Sequence, residues 1–103
     1  MLLDRLVNSR TTQALELTTR FAEQRHHVLA ENLANIDTPD FQSRRLDPEP
    51  FQTSLHKALQ QAAKTHQSRL ELRGNAQFAT RRDGSVEVRP AREPAPNVLF
   101  QDG

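Results

Sequence analysis

Glu23, His27 and Glu31 are the residues best spaced for chemistry in this chain. On a helix they fall four apart on one face, where three such side chains can approach a metal ion together. A metal site also needs a further ligand and hydrogen-bonded support for its ligands, and no recognisable pattern here supplies them. The plainer reading of the trio is a solvated face with weak pairing. His26 and His27 point about 100° apart on a helix and do not chelate. No serine stands at a recognisable motif spacing from a histidine and an acid, and none of the 3 glycines belongs to a phosphate-binding loop. The absence of cysteine excludes a disulfide frame, a thiolate nucleophile and a zinc-finger set. The expectation is a protein that is not an enzyme, with no catalytic residue, no metal and no cofactor.

Charge narrows the partners. The 14 Lys and Arg residues nearly balance 13 Asp and Glu, for a net charge of +1. The basic doublets Arg44-Arg45 and Arg81-Arg82 lack aromatic neighbours on which bases would stack. A nucleic-acid partner is therefore not expected. Apolar runs such as Val28-Leu29-Ala30 are far too short to insert in a membrane. Met1 to Val7 contains Asp4 and Arg5 and lacks the apolar centre of a cleaved signal peptide. The 103 residues suit one domain or a piece of one. Only 35% are hydrophobic, Phe is the sole aromatic type among Phe, Trp and Tyr, and the mean hydropathy is -0.77. So thin an apolar content predicts a small core and stability drawn partly from other chains.

The elements that position these residues are mainly helical. About Thr11 to Ala34 reads as one long helix without Gly or Pro. Val7, Ala14, Phe21 and Val28 recur every seven residues, and Leu15, Ala22, Leu29 and Ile36 do so one residue on. Two adjacent columns, with Leu17 and Leu33 beside them, make a narrow seam that suits a partner helix. The predicted contact stripe is Phe21, Val28 and Leu29, to be covered by another copy of the chain, by the second helix, or by both. Met1 to about Thr11 reads as a tail that orders on assembly. Asn32-Leu33-Ala34-Asn35-Ile36-Asp37-Thr38-Pro39-Asp40-Phe41 is dense in stop and turn chemistry. Asn35 tolerates the left-handed cap conformation, Asp37 and Thr38 bond to local backbone, and Pro39 ends the helix. Leu33, Ile36 and Phe41 are expected to fold back on the helix end.

A second amphipathic helix is predicted from about Pro50 to Thr65, with Phe51, Leu55, Ala58, Leu59 and Ala62 on its apolar face. Pro50 suits a first helical position, with Pro48 just outside. After Arg69, Leu70 and Leu72 alternate with charged residues, as do Val86 and Val88 after the Asp83-Gly84 turn signal. These runs read as short strands of an incomplete hairpin. Pro90 to Gly103 reads as extended linker. The organisation is thus 1–41 helix and turn, 42–66 second helix, and 67–103 an extended or disordered segment with short strands.

Glu23-Gln24-Arg25, and then Leu29 through Phe41, resemble the N-terminal signature of the bacterial flagellar rod and hook proteins. That signature runs roughly as Asn, apolar, Ala-Asn, any, Asp or Asn, Thr-Pro-Gly, aromatic; Asn32, Ala34, Asn35, Asp37, Thr38, Pro39 and Phe41 carry it here. Asp40 stands where the family usually has Gly, and Phe41 where it often has Tyr. Asp is among the few non-glycine residues that accept a positive φ, so the turn is expected to survive. The resemblance implies a structural subunit of the basal-body rod, using a seam of Ala14, Leu15, Phe21, Ala22, Val28, Leu29 and Leu33. It implies packing by coiled-coil-like contacts against itself and other rod proteins. It also implies export by the flagellar type III apparatus without a cleaved signal, and residence in the periplasmic rod. Members carry a second long helix at the C-terminus, to which Val98 through Gly103 resemble the lead-in, so the resemblance implies an N-terminal portion of a longer subunit. Two other readings stand beside it: a small helical adaptor or regulatory protein that binds one partner helix, and a nucleic-acid module.

Overall fold

The computed structural model describes residues 1–94, and the expected lead-in at 98–103 lies outside them. The fold is mainly helical, as predicted. Helix α1 runs Leu2–Ala34, α2 runs Pro48–Thr65, and short strands form at β1 Arg44–Arg45, β2 Phe78–Thr80, β3 Val86–Val88 and β4 Ala91–Arg92. Strands β1 and β4 pair antiparallel, and β2 and β3 form a separate antiparallel hairpin.

Helix α1 starts about a quarter of its length earlier than expected: Leu2 to Arg10 is helical and not a tail. Leu2, Leu3, Arg5 and Leu6 are all tolerable helix residues, and nothing before Asn35 breaks the backbone ladder. The helix ends at Asn35, as predicted, but with φ -109 and ψ 16, so the cap is not left-handed. The positive φ falls at Asp40, at 63. Helix α2 begins two residues early, with Pro48 inside as its first residue and Asp47 as the cap. Both prolines fit because first-turn N–H groups have no intrahelical acceptor. It ends at His66 in the left-handed conformation, φ 55.

The core joins Leu17, Phe21 and Val28 of α1 to Leu46, Phe51 of α2, Phe78 of β2 and Val86 of β3. Phe21 stacks on Phe51 with ring centroids 4.3 Å apart and planes 11° from parallel. Phe78 meets both rings edge-on, at 6.1 Å and 5.4 Å. Such pairs add about 1 kcal/mol each beyond the area they bury. Ala58, Ala62 and Leu70 form a second small cluster.

The hairpin differs from the expected one. Val86–Val88 is a strand, but its partner is Phe78–Thr80, not Leu70 to Leu72. Phe78 brings a ring into the core, which Leu70 cannot match, and Gly84 closes the turn with φ 85. Gly84 N–H donates to the Arg81 carbonyl and Arg81 N–H to that of Ser85. This is a three-residue loop with a bulge at the glycine. Leu70 is instead buried beneath α2. Pro90 to Glu93 is not simply linker: β4 returns the chain to β1, with Glu93 N–H on the Ser43 carbonyl at 2.8 Å.

Candidate functional site

Helix α1 carries two apolar stripes where the sequence suggested one seam. Adjacent residues on a helix diverge by about 100°, so the two heptad columns cannot face one neighbour. Phe21 and Val28 turn inward and are buried, and Ala14 is half-buried. Leu15, Leu29, Leu33 and Ile36 turn outward at 64%, 46%, 71% and 74% exposure, and Ala22 lies exposed among them. Of the predicted contact stripe, Phe21 and Val28 are covered within the chain and Leu29 is not. Leu33 and Ile36 do not fold back on the helix end, because the covered face of α1 lies on the other side. Phe41 is half-buried.

The outward stripe borders a groove of about 300 Å³ between α1 and α2. Phe21 and Phe51 line it, with Ala22, Leu29 and His26 at its α1 rim. His26 therefore belongs beside the stripe, and is not on the far polar face. Among the described residues no group of three or more His, Cys, Asp or Glu gathers as a metal site, and Glu23, His27 and Glu31 are solvated. Among them also, no helix is long and apolar enough to cross a membrane.

The corner at the end of the stripe is an ordered structure. Asn35 N–H and its side-chain Nδ2 both donate to the Glu31 carbonyl, at 3.1 Å and 2.9 Å. Thr38 donates its N–H to the Asn35 carbonyl at 2.9 Å and its hydroxyl to Asn35 Oδ1 at 3.2 Å. Phe41 N–H donates to the Thr38 carbonyl at 3.2 Å. Ala34 is the last helical residue, Asp37 and Pro39 are exposed in the turn, and Asp40 reverses the chain in the left-handed region.

Side-chain amides then lock the chain that leaves the corner. Asn32 Nδ2 donates to the Arg44 carbonyl at 2.7 Å, while Asn32 Oδ1 accepts from Arg44 N–H at 3.0 Å. One side chain thus pairs with β1 as another strand would. One heptad earlier, Arg25 Nε donates to the Leu46 carbonyl at 3.1 Å. Gln13 treats the far segment likewise, donating to the Ser68 carbonyl and accepting from Leu70 N–H. Gln77 grips Asp47 by backbone and carboxylate. The sequence marks Asn32 and Arg25 as part of the resembling stretch, but nothing in it singles out Gln13 or Gln77.

No known protein family, curated protein or solved structure matches this chain.

Proposed function

We propose that this chain is a structural subunit of the bacterial flagellar rod, of the proximal kind and closest to basal-body rod protein B. The reading rests on the resemblance of residues 23–41 to the rod and hook signature. One observation of the fold supports it most. The signature usually has glycine where this chain has Asp40, and Asp40 is the residue of the corner with a positive φ, 63. A glycine preference has its physical reason at that position and at no other in the corner.

In this reading the corner fixes how the chain leaves α1, and the outward stripe of Leu15, Ala22, Leu29, Leu33 and Ile36 packs against helices of neighbouring rod proteins. Phe21 and Val28 hold α1 to its own core and support that face from behind. The chain acts without catalysis, by self-assembly. It leaves the cytoplasm through the flagellar export apparatus and works in the periplasmic part of the basal body.

The test is genetic. The Leu29→Glu, Leu33→Glu double variant, made in the source bacterium, is expected to be exported but to stop rod assembly and motility. Normal swarming of that strain, or association of the protein with one soluble partner and no flagellar fraction, would favour the adaptor reading instead.

A further inference from the structure

The hairpin has an open edge, and its alternation shows which residue offers it. Arg81 N–H bonds to Ser85, and Arg89 N–H bonds to Gln77. With the register Phe78 to Val88, Ala79 to Glu87 and Thr80 to Val86, the hydrogen-bonded pairs are therefore 77/89, 79/87 and 81/85. The N–H and C=O groups of Phe78 and Thr80 point the other way. Those of Phe78 are taken by Asn75: Phe78 N–H donates to Asn75 Oδ1 and the Phe78 carbonyl accepts from Asn75 N–H, both at 3.0 Å. Thr80 has no such neighbour among the described residues, and β2 is paired on one side only.

Beyond Thr80 the chain diverges from the stretch before Asn75 and leaves a cleft of about 220 Å³. Its walls are Thr80, Arg81 and Arg82 on one side and Arg69, Leu70, Glu71 and Leu72 on the other. Leu70 is buried, Glu71 exposed, Leu72 half-buried and Arg73 exposed, the alternation of a strand, yet this stretch pairs with no strand. Glu71 and Leu72 make no backbone–backbone hydrogen bond among the described residues. The open Thr80 edge thus borders a slot whose other wall, Glu71 and Leu72, also lacks ladder partners. On the cleft walls Arg69, Arg81 and Arg82 outnumber Glu71, although Arg81 also binds Glu87 at 2.6 Å and Glu16 of α1 lines the adjoining hollow with the same three arginines.

We propose that this cleft accepts a short acidic peptide strand from a partner chain. The strand pairs with the Thr80 edge of β2 through its backbone and presents carboxylates to Arg69 and Arg82. Strand addition at an open edge draws affinity from main-chain hydrogen bonds, and the flanking charges select among partners. The proposal does not rest on the rod reading, since it concerns the β2 edge and its arginines and not the outward stripe of α1.

The test uses the full chain, isotopically labelled, and a synthetic peptide alternating valine and glutamate. Binding is expected to protect the amide of Thr80, to shift those of Glu71 and Leu72, and to weaken as salt is raised. Thr80→Pro removes the outward N–H without touching the ladder to β3, and is expected to abolish binding. Should that variant unfold, Arg69→Glu with Arg82→Glu tests the same cleft from exposed positions; it is expected to weaken binding about tenfold or more. A valine–lysine peptide is expected not to bind. Equal binding of both peptides, shifts confined to the α1 stripe, unchanged affinity in both variants, or preference of the cleft for a single-stranded oligonucleotide over the acidic peptide would overturn the proposal.

Discussion

Asn32 spends both ends of its amide on the backbone of Arg44, so its loss leaves a strand donor and a strand acceptor without their partner. Asn32→Leu is expected to lower stability by about 1–2 kcal/mol in urea unfolding. Asn32→Asp keeps the acceptor and is expected to fall between; equal stability of both variants with the parent would remove the clamp from the account. Asp40 gives the opposite kind of test. With φ at 63, Asp40→Gly is expected to be neutral or to stabilise by a few tenths of a kcal/mol, and Asp40→Val to cost about 1–2 kcal/mol. Asn35→Val, by contrast, carries no left-handed penalty, because Asn35 sits at φ -109 and acts through its side-chain bonds. At the hairpin turn, Ser85 hydrogen bonds to Asp83, first from its side chain and then from its N–H, hold that carboxyl below its ordinary 3.8, with Arg81 and Arg20 adding to the effect. A lowered folded value means that the turn gains from Asp83 above the unfolded value and loses that gain as pH falls through the folded one. An NMR titration should place the Asp83 midpoint below 3.8, and a midpoint at or above it would contradict the turn geometry.

Helix α1 separates stability from surface along its two stripes. Phe21→Ala removes a ring stacked at 4.3 Å on Phe51 and is expected to cost about 3–5 kcal/mol. Leu29→Asp, nearly half exposed, is expected to change the stability of the isolated chain by less than about 1 kcal/mol. Thermal unfolding of the two variants checks the contrast, and a large loss for Leu29→Asp would mean that the outward stripe is covered within the chain. Helix α1, helix α2 and the Asp83-Gly84 turn were legible because each depends on local pattern: apolar period, proline placement, a turn pair. The inward and outward columns were not separable, since period alone says which residues share a face and not which face has a neighbour. Phe78 gives no strand signal of its own, because Leu70 and Leu72 alternate more regularly, whereas the fold pairs the strand whose ring completes the three-phenylalanine core. Gln13 and Gln77 carry no sequence signal, since an amide that grips distant backbone looks like any surface amide.

At the scale of the molecule, α1 belongs to a body of 65 × 22 × 18 Å, and its outward stripe leaves Leu15, Leu29, Leu33 and Ile36 exposed. In a helical rod each copy repeats the same contacts. Under the rod proposal, a charge placed in that stripe would be buried without a partner on assembly, at a cost of several kcal/mol that recurs at every copy. The direct measurement is soft-agar swarming by the source bacterium carrying Leu29→Glu with Leu33→Glu, with the subunit assayed outside the cytoplasm. His27→Ala, on the solvated face, serves as control. The account predicts a folded, exported and non-motile double variant beside a motile His27 strain. Normal swarming of the double variant, or equal damage from His27→Ala, would contradict the assignment of assembly to the outward stripe of α1.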